Sequence, residues 1–557
     1  MNIVLEIYNE PGFSRTVIVG AIALTVWGLL RRLTRKSSLD NIPGPPSSSF
    51  IAGNLQQFFD KHESWSFQEE VNKKYESVVK LTGFFGSPVL YVLDPKALHQ
   101  IVVKEQDMCD VSEFQLDTIQ LSFGPGLLGV KGEQHRKQRK MLNPIFSAAH
   151  MRNMTPLFYS IARDLRNGII KQVKESPGTD IDILTWFSRT ALELIGQGGL
   201  GYSLDSLSSH AATPYGMAMK GFVPALDPFA AAQFVLPYIR SLGTRRFRGW
   251  LFSLLPSPSA KRFKDIVDTM DTESRNIYTT KKSALEAGDD SVVQQVGEGK
   301  DIMSVLLREN MKALESDRLP EVEVLGQMSL LLFAATDTTT TALTTIIQML
   351  AKHQDIQTKL REELLEVHQN YGEELPYDEL SALPLLDAVV RETLRVFPPL
   401  GTLIRQARKD ILLPLSKPIT GRDGSQIEQV VVPSGAMVIV GIRGSNLSKE
   451  TWGDDAEEWK PERWLSPLPQ AIKDARIPGV YSNMMTFNGG GRSCIGFKFS
   501  QLEMKVILSV LLCSFRFSTS PTEKNVIWNH GVVRYPTIGI SDMPQFPVLV
   551  ETINEGL

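Results

Sequence analysis

The spacing of apolar and polar positions changes several times along the chain, and each change predicts a different element. Thr16 to Leu30 is uncharged and mostly apolar and is followed at once by Arg31, Arg32, Arg35 and Lys36. That run is short of the roughly twenty residues that span a bilayer, so a signal-peptide core or an interfacial helix are alternatives to a membrane anchor. Gly221 to Pro256 is crowded with Phe222, Phe229, Phe234, Trp250 and Phe252 between prolines, which predicts packed helices, whereas Ala287 to Lys300 is polar and reads as a surface loop. Pro320 to about His353 is apolar throughout with a proline in its first turn, which predicts one helix about 50 Å long. A shorter helix follows between Pro384 and Pro398, and the stripe Phe499, Leu502, Val506, Val510 and Cys513 marks another. Short β-branched runs between Asp410 and Ile442, turning at Pro433-Ser434-Gly435, predict a small antiparallel sheet, and more strands follow Phe515, with the Trp528 to Val533 loop returning towards the interior. The expected fold is mainly α with a minor antiparallel β part: a segment 1–36, then one large domain over 37–557.

Charge and cysteine content narrow the partners and the compartment. The 557 residues carry 59 Lys plus Arg against 62 Asp plus Glu, a net charge of −3, so no global basic field points to nucleic acid. Three cysteines, Cys109, Cys494 and Cys513, are too few and too scattered for a disulfide framework or a zinc cluster, which fits a reducing, cytosol-facing domain. The basic cluster follows the apolar run near the N-terminus, and by the positive-inside rule this order leaves the bulk of the chain cytoplasmic and the apolar segment uncleaved. Two sequons, Asn153-Met154-Thr155 and Asn446-Leu447-Ser448, offer a check on that orientation.

The densest candidate chemistry lies in Phe487-Asn488-Gly489-Gly490-Gly491-Arg492-Ser493-Cys494-Ile495-Gly496. A thiolate that ligates iron needs backbone amides close by, and consecutive glycines remove the Cβ atoms that would block the approach. At a helix N-terminus the dipole and the unpaired amides favour a negative sulfur, which predicts a lowered thiol pKa for Cys494. Arg492 can reach a carboxylate on a cofactor edge, and Phe487 can shield the metal from water. The plain structural alternative is a glycine turn before a core helix. Upstream, His135 and Arg139 share one face of a basic helix over Lys131 to Lys140, where both can donate to a propionate. The remaining basic residues, with Lys498 and Lys505, form either a solvated face or a docking patch for an acidic electron donor.

In the long helix, Thr336 and Thr338 to Thr341 are poor helix formers, and Asp337 is a charge in a buried segment. The hydroxyls can bond back to carbonyls one turn earlier. Alternatively a local opening makes an oxygen pocket in which Asp337 and Thr338 pass protons. Glu392 and Arg395 are three apart on one face of the following helix, and Pro461-Glu462-Arg463-Trp464 supplies a second arginine.

Taken in order, these motifs resemble those of the cytochromes P450, of the eukaryotic membrane-bound, fungal-like type, over nearly the whole chain, including Pro43-Gly44-Pro45-Pro46 as the proline-rich hinge. The resemblance implies haem b with Cys494 as its axial thiolate and metal ligand, and a cofactor site completed by His135, Arg139, Arg405, Phe487, Arg492 and Gly496. It also implies an oxygen-activation pair, Asp337 and Thr338, and a buried lock of Glu392, Arg395 and Arg463. Two positions depart from the family pattern: His135 stands where Trp is usual, and Ala335 where Gly is usual. The implied reaction is insertion of one oxygen atom from O2 into a hydrophobic small molecule, terpenoid, fatty acyl or aromatic. Electrons would come from NADPH through NADPH-cytochrome P450 reductase, with cytochrome b5 as a further candidate donor. The protein would sit in the endoplasmic reticulum membrane on a single-pass N-terminal anchor, and the 221–256 region would roof the substrate channel. Two other readings share the scaffold: an isomerase or dehydratase acting on a preformed peroxide, and a haem-binding sensor or carrier without turnover.

Overall fold

The computed structural model describes residues 37–553 apart from 76, 208–212, 227–228, 230–246, 248–249, 251–256, 289–298 and 542. The proposed anchor, most of the 221–256 roof and most of the 287–300 loop lie outside the described residues.

The apolar run after Pro320 folds into the central helix, Glu321–Lys352, with Pro320 as its N-cap. Twenty-four of its 32 residues are buried, including Thr336, Thr339, Thr340, Thr341, Thr344 and Thr345. Threonine survives there because most of these hydroxyls bond back to the preceding turn: Thr336 donates to Leu332 O, Thr340 to Thr336 O, Thr344 to Thr340 O and Thr345 to Thr341 O, all at 2.8 Å, while Thr341 donates to Arg534 O. The central helix packs against Ile183–Ile195, Pro384–Val396 and Phe497–Ser514, and the last of these packs in turn on the long helix Ala148–Glu175, with Phe158 edge-on to Phe499 at 4.9 Å. One continuous apolar cluster of side chains from these helices forms the main core. Among the described residues the central helix alone is long and apolar enough to cross a membrane, and most of its apolar window is buried inside the protein.

A five-stranded sheet flanks the helices in the order Val78–Thr82, Pro88–Val92, Met437–Gly441, Thr402–Ala407, Cys109–Asp110. It carries its own apolar core and contains a parallel pair, Pro88–Val92 beside Met437–Gly441, so the Asp410–Ile442 region divides. Its first two strands, Ile411–Thr420 and Gln426–Val432, form the expected antiparallel hairpin, while the strand after the Pro433 turn joins the mixed sheet. Near the N-terminus the Pro43-Gly44-Pro45-Pro46 spacer is non-helical; it is tied down where Pro43 O accepts from Lys80 N–H at 2.9 Å.

Candidate active site

The strand Met484–Gly489 runs into a single turn at Gly490–Arg492, then Cys494, then Gly496 as N-cap of Phe497–Ser514. Cys494 N–H donates to Phe487 O at 2.8 Å, and Gly491 N–H to Gln106 Oε1 at 2.6 Å, which closes the loop. The glycines answer to neighbouring protein rather than to the sulfur: a Cβ at Gly490, where φ is +66°, would lie 1.7 Å from Val102 O, and one at Gly489 2.0 Å from Pro478 O. Phe487 packs edge-on to Tyr481 at 5.6 Å and against Phe497 at 6.1 Å.

Cys494 is exposed by surface area, yet its sulfur is closely surrounded by protein, and that burial raises its thiol pKa. This corrects the expectation of a lowered pKa. The residue lies before the N-cap, outside the first helical turn, and desolvation outweighs both the Gly496 N–H bond to the sulfur and the attraction of Arg139. A buried thiol of this kind is deprotonated by a coordinated metal cation rather than by the fold. Among the described residues no group of three His, Cys, Asp or Glu could hold a metal ion.

Cations surround the loop. Arg139 donates to Ser493 O at 2.5 Å and to Ser493 Oγ at 3.2 Å. Arg492 pairs with Asp110 and donates to Val130 O at 2.9 Å. Arg405 is buried and donates to Ile404 O at 2.9 Å, and desolvation together with the Arg492 charge pushes its pKa down to about 10. His135 is buried beside Arg492 and Arg139, which with desolvation lowers its pKa to about 4, so it is neutral at physiological pH. Three guanidinium groups face one carboxylate here, a surplus that fits the two propionates of a haem.

On the central helix, Ala334 is exposed and its neighbours Phe333 and Ala335 are half-buried, which marks an open face of the helix. Asp337 has its carboxyl raised to about 6 by burial. Thr338 Oγ1 donates to Ala334 O at 2.8 Å. The helix is continuous through these residues, and of the two readings of its threonines the structure shows back-bonding, with Thr336 and Thr338 each donating to a carbonyl one turn earlier. Glu503, fully buried on the helix after Cys494, faces Thr339, and burial raises its carboxyl pKa well above the ordinary value.

Glu392 and Arg395 are both at zero exposure and bonded twice, at 2.9 and 2.7 Å. Glu392 also accepts from Trp464 Nε1 at 2.9 Å, Lys460 N–H at 3.0 Å and Arg463 Nε at 3.4 Å, and Arg463 is held further by Asp455. Arg395 spends its other donors on Asn446 O, Ala456 O and Glu458 O.

Two sequence readings are corrected. Lys505 belongs to no surface patch: it is buried and donates to Asp387 at 2.8 Å and Ser381 O at 2.9 Å, because its helix is enclosed on nearly every side. On the basic helix, Lys131, Arg136 and Lys140 pair with Glu113, with Asp107 and Glu133, and with Asp317, leaving Lys137 and Lys498 as the less encumbered cations. Asn446 is fully buried, with its side chain bonded to Met485 N–H, Thr486 and Arg395 O, so only Asn153 can report on orientation through a glycan. Sequence reading also missed Asp110, Gln106 and the polar strap from Gln138 to Glu323 and Gln327, which link positions far apart along the chain. A charged residue inside an apolar helix, as at Lys505, is the one local signal that pointed to such a partner.

Comparison with known proteins gives the arrangement its class, that of the haem-thiolate oxygenases: residues 43–539 match the Cytochrome P450 family model. Over 534 residues the chain is 51% identical to cytochrome P450 monooxygenase 212 of Postia placenta, spanning 95% of this chain and 97% of that one. It is 50% identical to cytochrome P450 monooxygenase 81 of the same fungus, over 96% of each chain. It is also 45% identical to a ganoderic acid synthetase of Ganoderma lucidum, over 94% of this chain and 95% of that one. The chain belongs to the cytochrome P450 family and is a monooxygenase.

Proposed function

We propose that Cys494 is the axial thiolate of haem b and that the enzyme inserts one atom of O2 into an apolar small molecule. The observation that carries this reading is the accessible but interior Cys494 sulfur, with Arg139, Arg405 and Arg492 gathered around its loop. Bound there, the haem iron supplies oxygen activation, by which substrate, O2, two electrons and two protons yield hydroxylated product and water. The chain's own residues bind, insulate and deliver protons. Arg139, Arg405 and Arg492, with a neutral N–H from His135, would hold the propionates, and Gly496 N–H bonds to the sulfur and tempers its charge. Phe487 keeps water from the thiolate side. Asp337, its carboxyl raised to about 6, takes up and passes on a proton near the open face of the central helix, and the Thr338 hydroxyl, anchored on Ala334 O, orders the donors beside it.

The roof above that face is aromatic, with Phe123, Phe222 and Phe333 in mutual contact at 4.7, 5.0 and 5.5 Å, which favours a bulky hydrophobic substrate. The relative named a ganoderic acid synthetase makes that compound's class the first to test. Electrons arrive from NADPH through a membrane flavoprotein reductase, with cytochrome b5 as an accessory donor, at the face that carries Lys137 and Lys498. The N-terminal apolar segment anchors the chain in the endoplasmic reticulum with the catalytic domain cytosolic. The test is Cys494→Ala: it is expected to abolish the reduced-CO absorption band of a haem-thiolate and all reductase-dependent oxygenation. Retention of that band in the variant overturns the assignment.

A further inference from the structure

Gln138 lies between the two halves of this site, fully buried, with both amide hydrogens donated and its oxygen accepting a bond. Its Nε2 donates to Pro125 O and to Glu323 Oε2, each at 2.8 Å, and its Oε1 accepts from Gln327 Nε2 at 2.9 Å. Gln327 Oε1 accepts from Leu127 N–H at 3.1 Å, and Gln134 Nε2 donates to Glu323 Oε1 at 2.8 Å. Glu323 and Gln327 stand on the central helix; Pro125 and Leu127 belong to the loop before the basic helix Gly132–Leu142. Where that loop crosses the central helix the backbones touch: a Cβ at Gly326 would lie 2.7 Å from Gly126 N.

Gln134 and Gln138 are four apart and share one face of the basic helix, while His135 and Arg139 share the face about 100° further round. The glutamine face is fixed to the central helix, and the other face reaches the cysteine loop through Arg139 and Ser493. We infer that Gln138 is a positioning residue: acting through Arg139, it sets the separation between the Asp337–Thr338 face of the central helix and the loop that carries Cys494. A turn of the basic helix about its axis would draw the Arg139 guanidinium off Ser493, and the amide strap is what prevents that turn. The inference rests on the reading of Cys494 as the iron ligand.

A charge swap tests it in the purified holoprotein. Gln138→Glu sets a second carboxylate against Glu323 and removes the donor to Pro125 O. Adding Glu323→Gln restores the strap with its roles reversed: the carboxylate at 138 accepts from Gln327 Nε2 and from the amide at 323, whose oxygen accepts from Gln134 Nε2. Two quantities are read, haem transfer to apomyoglobin and amide hydrogen exchange of the peptide from Phe487 to Phe497. Gln138→Glu is expected to speed both about tenfold, the factor that about 1.4 kcal/mol represents, and the double variant to recover most of each loss. Wild-type exchange and haem retention in Gln138→Glu overturn the inference. So does a double variant no better than the single one, including a double variant that fails to fold. Hydrogen exchange of the loop reads the mechanical link without reference to the metal, so a mistaken iron ligand would show in the Cys494→Ala spectrum and not here.

Discussion

Asp337 shows how one side chain's surroundings decide its chemistry. Burial lifts its carboxyl from the ordinary 3.8 to about 6, which stabilises the protonated form in the folded protein. Its favourable contribution to stability is therefore complete below the unfolded value and is lost as pH rises through about 6. The same sign governs proton delivery. Product formed per NADPH is expected to fall on a single ionisation near pH 6, and Asp337→Asn to flatten that step; a profile identical in the two proteins removes Asp337 from the relay. Thr338 has a different job, since its hydroxyl proton is already given to Ala334 O and only its lone pairs remain to order a neighbouring donor. Thr338→Val should keep haem and substrate binding while NADPH consumption continues and electrons leave as hydrogen peroxide or water. The decisive quantity is the ratio of product to NADPH, and an unchanged ratio in the variant would refute the role.

Among elements, the helix Pro384–Val396 is held most heavily by a single carboxylate. Glu392 accepts from two arginines, an indole and a backbone amide, while Arg395 reaches three carbonyls of the 446–458 segment, so one buried pair joins the helix to the stretch preceding the cysteine strand. Removing one member leaves the other charged and desolvated, at a cost of about 3–5 kcal/mol. Glu392→Gln is expected to show this in urea unfolding and to give little haem-loaded protein; a variant that expresses and unfolds as wild type does would show that the pair is dispensable. The elements were legible in the sequence where a local rule applied: apolar periodicity and a proline stop for this helix, a proline start for the central one. The cysteine loop was legible because its glycines and arginine stand at fixed offsets. Partners set by tertiary approach were not legible. Asp110 lies 382 residues from Arg492 and Glu323 lies 185 from Gln138, and neither pair leaves a mark in either segment alone. The threonines of the central helix left two readings open, back-bonding or a local opening, and burial favoured the first, with Thr336 and Thr340 bonded to the turn before.

For the whole molecule, the glycines at 489 and 490 carry a meaning separate from the metal. They are demanded by the carbonyls of Pro478 and Val102, which belong to other parts of the chain and press on the loop from outside. The loop is thus a casting whose mould is the surrounding protein, and the sulfur is a separate choice of material within it. A serine in place of Cys494 would meet no wall, whereas an alanine at Gly490 would have to push Val102 aside. A descendant of this protein without the sulfur of Cys494 would still close the loop, and a search tuned to the glycines would go on finding it after its chemistry had gone.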